Sequence, residues 1–488
     1  MALLKDILYR VPLLATSGNP DVEVKAVRFD SRRVEPGDLF VAVKGTRVDG
    51  RDFIGQAIER GAAAVVGEGP VTGMYSVPHV QVVDSAQALA VIAGNFYGNP
   101  SSGLVLVGVT GTNGKTTTVY LLHRLFAAMG YHAGMLSTIV NRIGDSELPA
   151  THTTGDALQI HALLREMVDR GCSHCFMEVS SHALHQKRVF GLEFDLAVFT
   201  NITHDHLDYH PTFQNYIEAK KLLFDALPSS AKALVNADDR NAPVMVQNTR
   251  AKVHTYGLRT MADFKSRILS NTLHGLEMEI DSRQAWFRLM GDFNAYNITA
   301  VYASAILLGM ERDDVLTGLS SLAPAPGRFE YVPNPAGITA IVDYAHTPDA
   351  LGKVLETIVK TRSGDEKIIA VLGCGGNRDR AKRPKMAAIA CRFSEWVILT
   401  SDNPRDEDPV NIIEEMKTGL KKGDDARVLS IVDRREAIRT AVSMAGKRDV
   451  VLVAGKGHEN YQESKGVRIP FSDRDVLREA IETIKKSS

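Results

Sequence analysis

The chain has 488 residues, 44% apolar and 24% charged, which is ordinary globular sequence for about three domains with their own cores. A formal net charge of −1 argues against broad electrostatic binding to nucleic acid or an acidic membrane surface, and leaves small molecules as the expected partners. The apolar stretch Met1 to Leu14 is broken by Lys5, Asp6 and Arg10, no run reaches the roughly 18 apolar residues of a membrane span, and four cysteines make no disulfide framework, so a cytoplasmic protein without membrane insertion is expected.

From about Val24 to Gly98, short strands such as Leu39 to Val43 and Val80 to Val83 alternate with helical patterns near Phe53 to Arg60 and Ala86 to Tyr97. This predicts a small α/β unit. The turn formers Gly98-Asn-Pro-Ser-Ser-Gly103 mark its end and set a first domain over 1–100.

The apolar run Leu104 to Val107 leads into Gly108-Val-Thr-Gly111-Thr112-Asn113-Gly114-Lys115-Thr116-Thr117-Thr118 and then into Val119-Tyr-Leu-Leu122. A strand, a glycine loop and a helix start in that order make a phosphate cradle. Backbone N–H groups close around an anion, the helix N-terminus adds its positive dipole end, Lys115 supplies a point charge, and the Thr116 hydroxyl can hold Mg²⁺. Binding of a nucleoside triphosphate is expected. The position five residues before Gly114 is Val109 rather than the usual glycine, and Gly111 carries the tight turn instead.

Cys172-Ser-His-Cys175 is a single CxxC with no second pair at zinc-finger spacing, and Cys374 and Cys391 read as buried thiols. Glu178 stands at a predicted strand end. After the apolar run Leu196 to Phe199 comes Asn201-Ile-Thr-His204-Asp205-His206-Leu-Asp208-Tyr-His210, dense in metal-capable groups. Its histidines would suit a zinc hydrolase, the rival enzyme class, whereas the phosphate loop favours Mg²⁺ bound with a nucleotide. The segment Pro211 to Leu227 is helical by pattern, with Phe213, Tyr216, Ile217, Leu223, Phe224 and Leu227 on one face. Lys220 falls in the middle of that face and Lys221 at its edge. A lysine centred on an apolar stripe pays desolvation unless its stem snorkels or its amine is modified or paired.

In the last third, strands near Ala340 to Val342, Ile368 to Leu372, Val397 to Thr400, Val428 to Val432 and Val450 to Val453 are separated by helical patterns such as Val410 to Leu420 and Arg434 to Met444. Such repeats predict a parallel sheet in a Rossmann-like layout, with ligands at the carboxyl ends of strands. Polar motifs follow those strands: Asp343-Tyr-Ala-His346, Gly373-Cys-Gly-Gly-Asn-Arg378-Asp379, Asp402-Asn403-Pro-Arg405 and Gly455-Lys-Gly-His-Glu459. Fold class is therefore α/β in three domains with parallel-rich sheets: 1–100, a central P-loop mononucleotide-binding domain over 101–327, and a Rossmann-like domain over 328–488.

The ordered set Gly111-Thr-Asn-Gly-Lys-Thr-Thr117, Glu178-Val-Ser-Ser-His182, Asp205-His-Leu-Asp-Tyr-His210, Glu218-Ala-Lys220, Gly291-Asp-Phe-Asn294 with Asn297, Gly327-Arg328-Phe-Glu330 and Asp343-Tyr-Ala-His-Thr-Pro348 resembles that of the Mur ligases across nearly the whole chain. Folylpolyglutamate synthetases share the loop variant but lack the N-terminal unit and the Asp-Asn-Pro-Arg motif. The resemblance implies an ATP-dependent, ADP-forming amide ligase working through an acyl phosphate, with ATP as cosubstrate and two Mg²⁺ ions. Its catalytic residues would be Lys115, Glu178, His206 and Lys220. Metal would bind at Thr116, Glu178, His206 and Lys220, the last modified to a carbamate.

The same resemblance implies ATP contacts at Gly111, Thr112, Asn113, Gly114, Lys115, Thr116, Thr117, Asn294, Asn297, Arg328, Asp343 and His346. Ser31, with the Thr46 region behind it, would meet the uridine of a UDP-sugar peptide, and Thr153, Thr154, Ser180, Gln186 and Arg188 its sugar-peptide end. Asp402-Asn403-Pro404-Arg405 taken alone is a proline-containing turn. In these ligases it marks members that add meso-diaminopimelate rather than lysine to UDP-N-acetylmuramoyl-L-alanyl-D-glutamate. Arg378, Asp402, Asn403, Arg405, Gly455 and Glu459 would hold that amino acid, Arg405 pairing with a carboxylate that lysine lacks. A monomer whose C-terminal domain closes before reaction is expected.

Overall fold

Three larger sheets form around apolar runs long enough to bury their central strands on both faces, the signature of parallel pairing under covering helices, beside two small two-stranded ribbons. The computed structural model describes residues 1–45, 48–69, 75–150, 152–203, 209–334 and 336–487, with side chains to Thr483. The first sheet has five strands in the order Leu13–Ser17, His79–Val82, Ala64–Glu68, Leu39–Ala42, Val27–Arg28. All its pairs are parallel except that of the edge strand Leu13–Ser17 with His79–Val82. The helix expected near residues 53–60 starts as a tight turn, Gly50–Phe53, before Ile54–Glu59.

The central sheet has eleven strands and runs Ser146–Pro149, Val140–Ile143, Ala133–Leu136, His174–Glu178, Val105–Thr110, Leu196–Phe199, Lys232–Asn236, Lys252–Gly257, Phe264–Thr272, Gly275–Ile280, Arg283–Phe287. Ala133–Leu136 through Phe264–Thr272 are parallel to their neighbours, and both edges finish in antiparallel ribbons. Val105–Thr110 therefore lies between His174–Glu178 and Leu196–Phe199, and the loops leaving all three meet at one edge of the sheet. The helices Lys115–Ala128 and Asp292–Leu307 pack on one face and Phe213–Asp225 on the other.

The third sheet has the order Glu330–Tyr331, Thr339–Asp343, Val450–Ala454, Ile368–Leu372, Trp396–Leu399, Val428–Ser430. It is parallel beyond its first pair, which is antiparallel. Val450–Ala454 joins the sheet between strands that precede it in the chain, so the order switches there, and the crevice at the carboxyl ends beside such a switch is where open α/β sheets bind ligands. All four cysteines are buried free thiols. Among the described residues no helix is long and apolar enough to cross a membrane.

Candidate active site

The phosphate-loop strand is longer than its apolar run, and Gly108, Val109 and Thr110 belong to it rather than to the loop. They are fully buried, and Gly108 and Val109 are paired on both sides, Val109 opposite both Glu178 and Val198. Val109 thus occupies a core position, which is why glycine is not required there. Gly111 begins the turn at φ +150°, and a Cβ there would stand 1.9 Å from Thr200 Oγ1. No side chain fits. Thr200 Oγ1 donates to the Asn113 carbonyl (2.7 Å), as does Asn201 Nδ2 (3.0 Å), so the strand next door holds the loop open.

The helix Lys115–Ala128 starts directly from this loop with no side-chain cap, which leaves its first N–H groups facing the loop. Lys115 Nζ donates to the Gly111 and Thr112 carbonyls at 2.9 and 3.0 Å. Thr116 Oγ1 donates to Glu178 Oε2 at 2.9 Å, both residues being buried. Glu178 also accepts from Thr138 N (2.7 Å) and Thr138 Oγ1 (3.2 Å), a residue with no motif in the sequence to flag it. Lys220 is 1% exposed. Its Nζ donates to the Gly111 carbonyl at 2.8 Å and lies 4.7 Å from the Tyr216 ring centroid, so the stem is buried and its amine ends at the phosphate loop rather than in water. Lys221 instead pairs with Asp225 at 2.5 Å. His206 and Thr46 lie outside the described residues.

Asn294 and Asn297 are buried on the first turns of Asp292–Leu307, Asn297 Nδ2 donating to Asn294 Oδ1 at 2.9 Å. Asn297 Oδ1 comes within 2.5 Å of where a Gly114 Cβ would be, so this helix abuts the loop. From the C-terminal part, Arg328 Nη2 donates to Thr116 Oγ1 (3.3 Å) and its guanidinium stacks 4.4 Å over the Tyr344 ring. Asp343 accepts from Phe329 N (2.6 Å) and Ala345 N (2.7 Å), and burial pushes its carboxyl up to about 6. His346 Nδ1 donates to the Tyr344 carbonyl at 2.8 Å. Asp349, absent from the sequence reading, accepts from Asn113 Nδ2 (3.2 Å) and Thr203 Oγ1 (3.1 Å) and ties a C-terminal helix to the loop.

The sugar-peptide candidates gather at the end of the Glu178 strand. Thr154 Oγ1 donates to the Glu178 carbonyl (2.8 Å) and accepts from Ser180 N (3.0 Å), and the Thr153 and Thr138 hydroxyls lie 3.1 Å apart. Arg188 donates to Thr154 O (2.9 Å) and to Gln186 Oε1 (2.6 Å). Ser31 is separate from this group, its Oγ donating to Gln56 Oε1 at 2.7 Å within the first sheet's unit.

At the third sheet's carboxyl edge, Arg405 adopts φ +51° and donates through Nη1 to the Gly376 carbonyl at 2.8 Å. Gly455 sits at φ +118°, where a Cβ would meet Asp402 Oδ2 at 2.6 Å. Asn403 Nδ2 donates to Glu459 Oε2 at 2.8 Å. Arg378 is exposed, its Cγ 3.7 Å from the place of a Gly375 Cβ, so it borders the group without a bond into it. Asp402, Asn403, Arg405, Gly455 and Glu459 are brought together. Lys456, buried among them, is the residue that the sequence reading passed over: the Gly-Lys-Gly-His-Glu run flagged it only by position.

Comparison with known proteins matches three family models: "Mur ligase family, catalytic domain" over 23–97, "Mur ligase middle domain" over 109–305 and "Mur ligase, glutamate ligase domain" over 327–457. The chain is 56% identical to the UDP-N-acetylmuramoyl-L-alanyl-D-glutamate--2,6-diaminopimelate ligase of Cytophaga hutchinsonii, covering 99% of this chain and 100% of the relative. It is 50% identical to the enzyme of that name from Bacteroides fragilis, covering 98% of each. A solved structure of a ligase with the same name superposes with TM-score 0.70 at 34% identity over 99% of both chains. A MurF ligase from Thermotoga maritima in complex with ADP shares the fold at TM-score 0.62 and 21% identity, covering 96% of this chain and 99% of that one.

Proposed function

Because the chain belongs to the Mur ligase family, we propose that it is the ATP-dependent ligase that adds meso-diaminopimelate to UDP-N-acetylmuramoyl-L-alanyl-D-glutamate in peptidoglycan precursor synthesis. The γ-phosphoryl of ATP passes to the glutamate carboxylate, giving an acyl phosphate and ADP. The amine of the diamino acid then attacks the acyl carbon, and inorganic phosphate and a proton leave. One observation carries this reading: Lys115, Thr116, Glu178, Lys220 and Arg328 converge on one glycine loop from four separate stretches of chain.

Each residue has work to do in that chemistry. Lys115 and Arg328 present positive charge where negative charge concentrates during phosphoryl transfer, and preorganised charge of this kind is a large part of such catalysis. Asn294 and Asn297 take the adenine, Asp343 and His346 the ribose side, and the N–H groups of 111–117 the phosphates. Thr116 and Glu178 fit magnesium, being hard oxygen donors already 2.9 Å apart and buried. Together with His206 and a carbamate on Lys220 they would hold two ions, which supply charge neutralisation on the transferring phosphoryl group. The carbamate forms when the Lys220 amine adds to CO₂ and loses a proton, and it turns a buried cation into a metal-binding anion.

Ser31, Thr153, Thr154, Ser180, Gln186 and Arg188 receive the UDP-sugar dipeptide, and Arg378, Asp402, Asn403, Arg405, Gly455 and Glu459 the diamino acid. In this reading 1–100 is the UDP-sugar-binding domain, 101–327 the ATP-binding domain that also meets the sugar-peptide end, and 328–488 the amino-acid-binding domain that also reaches the ribose side of ATP, in a cytoplasmic monomer whose partners are small molecules. Phosphate release measured with and without the UDP-sugar dipeptide and the diamino acid tests it. Release that needs both is expected. Release indifferent to both would mean a regulatory or motor NTPase, and turnover with stoichiometric zinc and no ATP would mean a hydrolase.

A further inference from the structure

We propose that Lys456 is a positioning and specificity-determining residue of the amino-acid site, a role that rests on the reading of that site as the diamino-acid pocket. Lys456 is 0% exposed. Its Nζ donates to Asn403 Oδ1 at 3.0 Å and to Glu459 Oε2 at 2.9 Å, stands 3.8 Å from Asp402 Oδ1, and lies 5.5 Å from the Tyr461 ring centroid. An ammonium taken wholly out of water is costly unless its partners repay it, and its polar partners Asp402, Asn403 and Glu459 all belong to the loops that follow Trp396–Leu399 and Val450–Ala454.

Three consequences follow from that placement. A carboxamide has interchangeable ends until its neighbours choose between them, and an ammonium, which only donates, chooses. Asn403 Oδ1 is fixed by Lys456 Nζ and by Glu463 N at 2.9 Å, so its Nδ2 must point at Glu459 Oε2. Glu459 Oε2 is thereby committed twice, while Oε1 has no hydrogen bond to protein among the described residues. The carboxylate is turned to offer one oxygen to a ligand's ammonium.

Arg405 is held by the same network. Glu463, whose N–H rests on Asn403, accepts from Arg405 N through its carbonyl at 3.1 Å, and Lys465 N donates to the Arg405 carbonyl at 2.7 Å. The bonds therefore run from Lys456 through Asn403 to the strand Tyr461–Ser464 and on to the backbone of Arg405, a non-glycine residue held at positive φ. The third is charge balance. Asp402 and Glu459 carry two negative charges beside the Lys456 ammonium and the Arg405 guanidinium, so removing the ammonium leaves these two carboxylates with one cation fewer between them.

The test compares Lys456→Met, which keeps the stem's bulk and removes the charge, with Lys456→Gln, which keeps an N–H donor without charge. Each full-length variant is assayed for KM and kcat toward meso-diaminopimelate, L-lysine, ATP and the UDP-sugar dipeptide. For Lys456→Met we expect KM for meso-diaminopimelate to rise about tenfold or more, its preference over L-lysine to shrink by a similar factor, and KM for ATP and the dipeptide to stay within about twofold. Lys456→Gln should lie between Met and the parent. Unchanged KM for the amino acid, or equal loss toward all substrates, overturns the proposal. If the Met variant shows no cooperative melt, the same split in the Gln variant decides. Failure of the parent protein to ligate any diamino acid would overturn the functional reading itself, and is seen before either variant is assayed.

Discussion

At the scale of single residues, the phosphate loop and Lys220 were legible because each breaks a local expectation. Gly111 sits where a backbone must turn at φ +150° against Thr200, and Lys220 is a charge at the centre of an apolar stripe. Lys115→Ala should leave the loop's shape intact, since glycines and the Thr200 and Asn201 bonds set it, and should lower ligation by roughly 10²-fold or more in steady-state assays. Near-normal turnover would remove the nucleotide assignment. Lys220→Ala should lose most activity and regain part of it with added short carboxylates, whereas Lys221→Ala gives up only a pair with Asp225 and should be mild. Equal losses in the two variants would argue against a modified Lys220. Thr138, Asp349 and Lys456 escaped notice because their roles depend on partners 40, 236 and 53 positions away in the chain.

At the scale of elements, continuous apolar runs gave away the parallel strands, and Ile368–Leu372, Leu196–Phe199 and Arg434–Met444 lie where their patterns put them. The ribbon Phe264–Phe287 was not read from sequence. Its outer two strands bury one residue each, Ser266 and Phe287, and the three carry Lys265, Arg267, Glu277, Glu279 and Arg283 between them, so they lack the run that marks a strand buried on both faces. Nor does any periodicity foretell the pairing of Arg434 with Asp473. These fully buried side chains bond at 2.7 Å twice and clamp Arg434–Met444 to the start of Asp473–Ser487. Arg434→Met strands the Asp473 carboxylate in the core and should destabilise by about 3–5 kcal/mol in urea unfolding followed at the C-terminal sheet. A change below about 1 kcal/mol would show that the clamp contributes little.

For the molecule as a whole, the arrangement of sites follows from the sheets. The nucleotide loop leaves one carboxyl edge and the Asp402–Arg405 turn another, and Arg328 and Asp349 bridge them by bonds to Thr116 and Asn113. That bridging is invisible in a linear sequence, whereas the glycine loop and the Asp402–Arg405 turn are short runs visible in it. Selectivity for the amino acid is then a property of the assembled site. An arginine built to pair with a carboxylate rejects an analogue lacking that group by roughly 10⁴-fold. Arg405→Ala should collapse the preference mainly by losing activity toward meso-diaminopimelate. The most direct test gives the unmodified protein ATP, the UDP-sugar dipeptide and meso-diaminopimelate or L-lysine, and quantifies phosphate and amide product together. Equimolar phosphate and amide are expected, with kcat/KM for meso-diaminopimelate several orders of magnitude above that for lysine. Phosphate without amide, or lysine used comparably well, would contradict the assignment of a diaminopimelate-adding ligase.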